Sequence, residues 1–229
     1  LDDGKIHLKV VEKPENVDGN GGENTQEKRY FAKVLWGGLL KSRKSAALPG
    51  AKIYPPTLTN SDLANIQIAK EMGVTGVMQP FVRDHRDLEC VKEALREAGA
   101  EDIRLFAKIE NMDGVRKLEE LFPAADEIVI ARGDLGNAVH LWDLPGVQRQ
   151  ISEKCRAAGK PFMVVTQMLA SMERSPVPTR AEVNDIFHAV MDGAASIMVT
   201  GETAVGDYPV EVIRYMVNTV RSAEKEENR

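Results

Sequence analysis

Leu105-Phe-Ala-Lys108-Ile-Glu110-Asn111 and Glu127-Ile-Val-Ile-Ala-Arg132-Gly133-Asp134-Leu-Gly136 are two short apolar runs that each end in charge. Each reads as a strand bounded by a turn, and the segment between them, Gly114 to Phe122, reads as a helix. Two strands joined through a helix run parallel, and a parallel strand covered on both faces is apolar nearly throughout. Its functional groups then collect where the strand ends and the next loop begins. Lys108, Glu110, Arg132 and Asp134 all stand at that end. Lys108 and Glu110 are two apart, so on a strand both side chains leave on one face. A cation and a carboxylate beside a second carboxylate from the next strand suit a divalent metal held by two oxygens, with an ammonium nearby to neutralise transferred phosphate.

Working outward, the same alternation repeats from Gly73 onward. Strands are expected at Gly76 to Phe81, Ile103 to Ile109, Glu127 to Ala131, Pro161 to Thr166 and Ser196 to Thr200. Helices are expected at Leu88 to Ala98, Val115 to Leu121, Val147 to Ala158, Arg180 to Met191 and Pro209 to Glu224. Strict alternation means a parallel sheet, either doubly wound or closed as a barrel. Polar residues recur at successive strand ends (Lys108 and Glu110, Arg132 and Asp134, Thr166 and Gln167, Thr200 to Glu202), which is how a β/α barrel builds a site. A doubly wound sheet usually carries a glycine-rich fingerprint at one switch point, and neither GxGxxG nor GxxxxGK[ST] occurs. Five such strands are visible, so an eight-stranded barrel would lack its first three.

The opening stretch differs. Lys5 to Val11 alternates apolar and polar residues as a strand with one wet face, and His7 falls on the wet side. Pro14 to Lys28, rich in Gly, Asn and Glu, reads as a flexible hairpin loop or insertion, and Tyr30 to Trp36 resumes a strand that Gly37-Gly38 ends. This is the pattern of part of a small antiparallel β domain, with residues 1–47 assigned to it and 48–229 to the α/β part. Lys41-Ser-Arg43-Lys44 is either a solvated exit loop or a phosphate-contacting hinge. Thr59-Asn-Ser61-Asp62 supplies helix caps ahead of a helical pattern at Leu63 to Met72.

Composition narrows the function classes. With 43% hydrophobic and 28% charged residues the chain has the makeup of a globular protein, and no run approaches the length of a membrane span. A net charge of −5 with 5% aromatic residues and no basic cluster interleaved with aromatics argues against nucleic acid. Cys90 and Cys155 have no CxxC spacing and read as reduced thiols of a cytoplasmic protein. His85, His140 and His188 offer no partner that the sequence can name, and Met163, Met168, Met172, Met191 and Met198 read as packing residues. The chain opens on Leu1 without a targeting pattern and is expected to be a piece of a longer polypeptide.

Five motifs then stand in order: Ala-Lys108-Ile-Glu110-Asn111 with Gly114, Ala131-Arg-Gly-Asp-Leu-Gly136, Thr166-Gln-Met-Leu-Ala-Ser-Met172, Pro178-Thr-Arg-Ala-Glu182 and Gly201-Glu-Thr-Ala-Val-Gly-Asp-Tyr-Pro209. They resemble the successive barrel-strand signatures of the pyruvate kinase family. Asp2-Asp3-Gly4 and Leu48-Pro49-Gly50 resemble the end of that family's inserted β domain and the return to its barrel. The resemblance implies a partial TIM-type β/α barrel, strands 4 to 8, preceded by part of the inserted domain. It implies phosphoryl transfer from phosphoenolpyruvate to ADP, giving pyruvate and ATP.

On matching positions, the resemblance implies that Glu110 and Asp134 hold Mg2+ (or Mn2+). Lys108 would stabilise the phosphoryl group in flight. Backbone amides of Arg132, Gly133 and Asp134 would bind the substrate carboxylate, Thr166 would face the enolate where its proton arrives, and Lys44 would reach the nucleotide phosphates. It also implies a homotetramer, and a K+ ion whose ligands, with an arginine that meets the transferred phosphate, lie outside this chain, as does a C-terminal regulatory domain beyond Asn228-Arg229. The sequence departs from the family pattern at Ala138, at Ser45-Ala46-Ala47, at Gln79-Pro80 and at Thr200, which bears on the nucleotide side more than on the metal side. Two other classes stay open: a metal-dependent lyase or aldolase acting on pyruvate-like enolates, and an inactive paralogue.

Overall fold

A computed structural model describes residues 1, 6–12, 15–18, 26–40, 42, 44, 46–48 and 54–227, which fall into two compact units, Leu1–Ala51 and Lys52–Arg229. Asp2-Asp3-Gly4, Lys41, Arg43, Ser45, Pro49-Gly50 and Asn228-Arg229, all singled out in the sequence, lie outside the described residues.

The first unit holds two antiparallel pairs. Strand β1 (His7–Val10) pairs with β4 (Ala32–Trp36), and β2 (Glu15–Asp18) pairs with β3 (Gln26–Arg29). The stretch read as a flexible hairpin loop or insertion thus contributes two strands. Its polar composition disguised them, because a ladder with Glu15 opposite Arg29 and Val17 opposite Glu27 needs backbone partners rather than an apolar face. Between His7 and Leu8 the register shifts, so His7 faces Trp36 while Leu8 faces Val34. His7 is not merely solvated: its ring stacks on Trp36 with centroids 4.8 Å apart.

The second unit begins with α1 (Asn60–Ala69) and continues as β5 (Gly76–Gln79), α2 (His85–Glu97), β6 (Arg104–Ile109), α3 (Met112–Arg116), α4 (Leu118–Leu121) and β7 (Glu127–Ala131). Then come α5 (Arg132–Ala138), α6 (Leu144–Ala157), β8 (Phe162–Val165), a 3-10 turn at Ala170–Glu173, α7 (Arg180–Met191), β9 (Ser196–Met198), α8 (Gly201–Ala204) and α9 (Pro209–Glu227). Strands β5 to β9 form one parallel sheet in strictly sequential order. A doubly wound sheet would reverse its order at a switch point, so this sheet has the connectivity of a barrel arc.

Helix ends follow local chemistry. Thr59 and Asp62 close a capping box that starts α1 three residues before the expected position, and a capping box of Thr179 and Glu182 starts α7 at Arg180, as expected. The helix expected at Val115 to Leu121 is instead two short pieces, interrupted at Lys117 (φ −101°, ψ 18°). Asn111 caps the first piece by accepting the Gly114 N–H, and a Cβ on Gly114 would stand 2.6 Å from the Val82 carbonyl oxygen. That approach draws the β6–α3 turn onto the β5–α2 turn.

Period-two alternation splits the sheet into two faces. Leu105, Ala107, Ile109, Ile128, Ile130, Phe162 and Val164 are buried in the large core with the helices. Val129, Ala131 and Val165 form a second, smaller cluster with partly buried Phe106, Met163 and Met198 on the other face. One end of that face is closed by polar contacts: Arg104 reaches Glu127 at 3.2 Å, the Ser196 hydroxyl donates to Glu127, and Arg104 lies over the Phe106 ring. Met168 and Met172 are fully buried, whereas Met191 is partly exposed. Both cysteines are free, Cys90 exposed on α2 and Cys155 buried on α6. Among the described residues no helix is long and apolar enough to cross a membrane.

Candidate active site

Lys108 leaves the smaller face of the sheet just before β6 ends, and its Nζ lies 2.9 Å from Glu110 Oε1. The Glu110 side chain is only 2% exposed, and its Oε2 accepts the Phe81 N–H at 2.8 Å. A buried carboxylate needs partners for both oxygens, and here one comes from its own strand and one from the end of β5. Phe81 presents that amide from φ +52°, a left-handed conformation that an aromatic residue rarely adopts. The turn around it is pinned further. The Val82 N–H donates to the Lys108 carbonyl at 3.3 Å, and the Asn111 amide donates to the Val82 carbonyl at 3.1 Å.

At its base, the β5–α2 turn is clasped by Asp87. Its Oδ1 accepts from Thr57 and from Arg83 Nη2, both at 2.6 Å, and its Oδ2 accepts from Arg83 Nε and the Arg83 N–H. Burial alone would push the Asp87 carboxyl upward. The hydrogen bonds from the Arg83 side chain, Thr57 and the Arg83 backbone outweigh it and hold the group at about 2. Gln79, one of the departures noted in the sequence, turns to the helix side and donates to the Thr57 and Pro80 carbonyls.

On the next strand β7 passes directly into α5 at Arg132. Ala131 at the N-cap has no side-chain oxygen to offer the first-turn N–H groups, and half-buried Asp134 stands in that first turn, where an acid complements the helix dipole. Gly133 permits the approach of β8: a Cβ there would meet Thr166 Cγ2 at 3.1 Å. Thr166 and Gln167 both have positive φ, +79° and +56°. Among the described residues the three non-glycine positive φ values are those of Phe81, Thr166 and Gln167, all at C-terminal strand ends, where unusual backbone commonly accompanies function.

The structure therefore joins Lys108 to Glu110 and sets Gly133 against Thr166, while Lys44 belongs to the other unit and is exposed. Among the described residues no cluster of three His, Cys, Asp or Glu side chains is arranged to hold a metal. A cavity of about 300 Å³ lies between α1 and β5, lined in part by Asn65, Ile66, Met78 and Pro80, away from Lys108 and Thr166. The histidines do have neighbours: His85 Nδ1 lies 3.9 Å from Glu120, His140 stacks on Trp142, and His188 meets Phe187 edge-on.

Sequence reasoning missed the side chain of Arg132. Its Nη1 meets both carboxylate oxygens of Asp185 on α7 at 2.8 and 2.7 Å, its Nε donates to the Val165 carbonyl at 3.3 Å, and its Nη2 donates to the Thr166 carbonyl and to Met168 Sδ, each at 2.7 Å. It also missed Glu182 and Glu202 as loop anchors. Glu182 accepts the Ser171 N–H and hydroxyl, and buried Glu202 accepts the Leu169 and Thr200 N–H groups. The available signal was the charge at the strand ends, Arg132 and Glu202, and the Pro178-Thr-Arg-Ala-Glu182 run.

Residues 1–213 match the family model for the pyruvate kinase barrel domain. The chain is 40% identical over 216 residues to pyruvate kinase of Geobacillus stearothermophilus, covering 94% of this chain and 35% of that protein. It is 38% identical over 225 residues to that of Bacillus licheniformis, with 98% and 37% covered, and 37% identical over 225 residues to that of Candida albicans, with 98% and 42% covered. The chain thus spans well under half the length of these curated relatives.

Proposed function

Because the chain belongs to the pyruvate kinase family, we propose that it supplies the second part of a barrel, strands 4 to 8, and with it much of the active site of an enzyme that transfers the phosphoryl group of phosphoenolpyruvate to ADP. Pyruvate and ATP are the products. The supporting observation is the Lys108–Glu110 pair at the end of β6, with the close approach of Thr166 to the position a Cβ would take on Gly133 two strands on. Residues 1–47 are the end of the inserted β domain and 48–229 the barrel part.

Glu110 and Asp134 would hold Mg2+ or Mn2+, since such a hard cation commonly takes one or two protein carboxylates and completes its shell with substrate and water. When bound, the cation neutralises substrate oxygens as charge develops. Lys108, already directed by Glu110, offers its ammonium to the phosphoryl group in flight, where positioning and charge neutralisation provide most of the catalysis. The first-turn N–H groups of Arg132, Gly133 and Asp134 donate to the substrate carboxylate. The Thr166 hydroxyl stands at the face of the enolate that receives the proton. Lys44 contacts the nucleotide phosphates. A K+ ion held by ligands outside this chain, a homotetrameric assembly and a cytoplasmic setting complete the proposal.

The test places this chain in the corresponding segment of the Geobacillus stearothermophilus enzyme and measures ADP phosphorylation. Turnover that needs Mg2+ and collapses on Lys108→Met is expected. A folded chimera that consumes no phosphoenolpyruvate, or acts on enolates without ADP, would overturn the reading. In the chain alone, Mn2+ binding followed by electron paramagnetic resonance should weaken on Glu110→Gln. Equal binding by the variant would remove Glu110 from the metal site.

A further inference from the structure

The loop after β8 is held by three carboxylates, but only one of them acts on the turn that carries Thr166. Glu202 and Glu182 take the N–H groups of Leu169 and Ser171, downstream of the turn. The carbonyls of Val165 and Thr166 are held by the Arg132 guanidinium, and that guanidinium is fixed from behind by Asp185. A carboxylate facing a guanidinium sets its position and neutralises its charge. With Arg132 only 13% exposed, its side chain has little room to find another orientation.

We propose that Asp185 is a positioning residue for Thr166, acting through Arg132. Thr166 is β-branched and sits at φ +79°, followed by Gln167 at +56°, so the turn relaxes unless something external holds it. Arg132 is also the first residue of α5, and Gly133 beside it leaves room for Thr166, whose Cγ2 a Cβ there would meet at 3.1 Å. One side chain therefore fixes the spacing between the N–H groups assigned to the substrate carboxylate and the hydroxyl assigned to the enolate face. Asp185 lies in the middle of α7, a capped twelve-residue helix, so the anchor is a rigid element. The role deepens the pyruvate kinase reading and rests on it.

Asp185→Asn removes the charge and one of the two acceptors, while Asp185→Glu keeps both. In the full chain, nuclear magnetic resonance should show a strong intraresidue HN–Hα Overhauser effect at Thr166, the mark of positive φ. It should be lost in Asp185→Asn and largely kept in Asp185→Glu, with the rest of the spectrum little changed. In the chimera described above, proton exchange at the pyruvate methyl group should fall 10- to 100-fold in turnover on Asp185→Asn, a loss typical of misplacing a reacting group. Mn2+ affinity and KM should stay near the parent value, a split that general destabilisation would not give. Should Asp185→Asn fail to fold, Arg132→Lys replaces it, because a lysine cannot reproduce the forked contacts and should show the same loss. Retention of the Thr166 signal, or its loss with unchanged proton exchange in an active chimera, overturns the proposal. An inactive parent chimera instead counts against the pyruvate kinase reading, and the Thr166 signal still decides whether Asp185 holds the turn.

Discussion

Asp87 offers the most quantitative test. Its carboxyl is held at about 2, against 3.8 for an ordinary aspartate. At roughly 1.36 kcal/mol for each tenfold change in proton affinity, that depression is worth on the order of 2 kcal/mol of stability at neutral pH. The folded pKa is depressed, so this contribution is complete above the unfolded value near 4, falls to about half by pH 3, and disappears as pH drops through 2. Asp87→Asn should therefore lower stability at pH 7 by at least about 2 kcal/mol, since the amide nitrogen would also face the Arg83 donors. Urea unfolding of dilute protein, followed by circular dichroism at pH 7 and pH 3, should show the gap between parent and variant narrowing as the solution is acidified. The parent carboxyl carbon should titrate near 2 by nuclear magnetic resonance. A carboxyl that titrates near 4, or a variant as stable as the parent at pH 7, would refute the clasp. Because Asp87 secures the turn that carries Phe81, hydrogen exchange at the Phe81 amide should also accelerate in the variant.

Other outcomes follow from the same geometry. Lys108→Met in the active chimera should lower turnover by several orders of magnitude with little change in phosphoenolpyruvate binding, as steady-state kinetics would show, because the charge acts mainly in the transition state. Gly114→Ala should destabilise by about 1–3 kcal/mol in thermal or urea unfolding, since its Cβ would enter the Val82 carbonyl oxygen and backbone cannot move aside cheaply. In the described sheet β5 and β9 each pair on one side only, so the chain alone should associate as concentration rises. Sedimentation showing a monomer at all concentrations would contradict this.

What the sequence disclosed followed from short periods. Lys108 and Glu110 were recognisable as neighbours on one face because a strand repeats every two residues, and β7 was placed to the residue by its unbroken apolar run. Helix α7 was equally legible, with a proline and a capping threonine before it. The Arg132–Asp185 pair was not, because 53 residues separate its members and nothing local links them. Nor were the left-handed conformations of Phe81 and Thr166, which no intrinsic preference favours and which only tertiary contacts sustain. The hairpin of β2 and β3 hid for the opposite reason, since its polar residues are those of a loop.

The two thiols have a practical corollary. Cys90 is open to solvent, while Cys155 has no exposed surface, and burial pushes its thiol up to about 12. Since the thiolate is the species that alkylates, a brief maleimide pulse at neutral pH should add one label to the native chain and a second only to molecules whose α6 has opened. Counting labels by mass against pulse time would turn the unmodified chain into its own clock for opening, with Cys90 as the internal standard for reagent delivery.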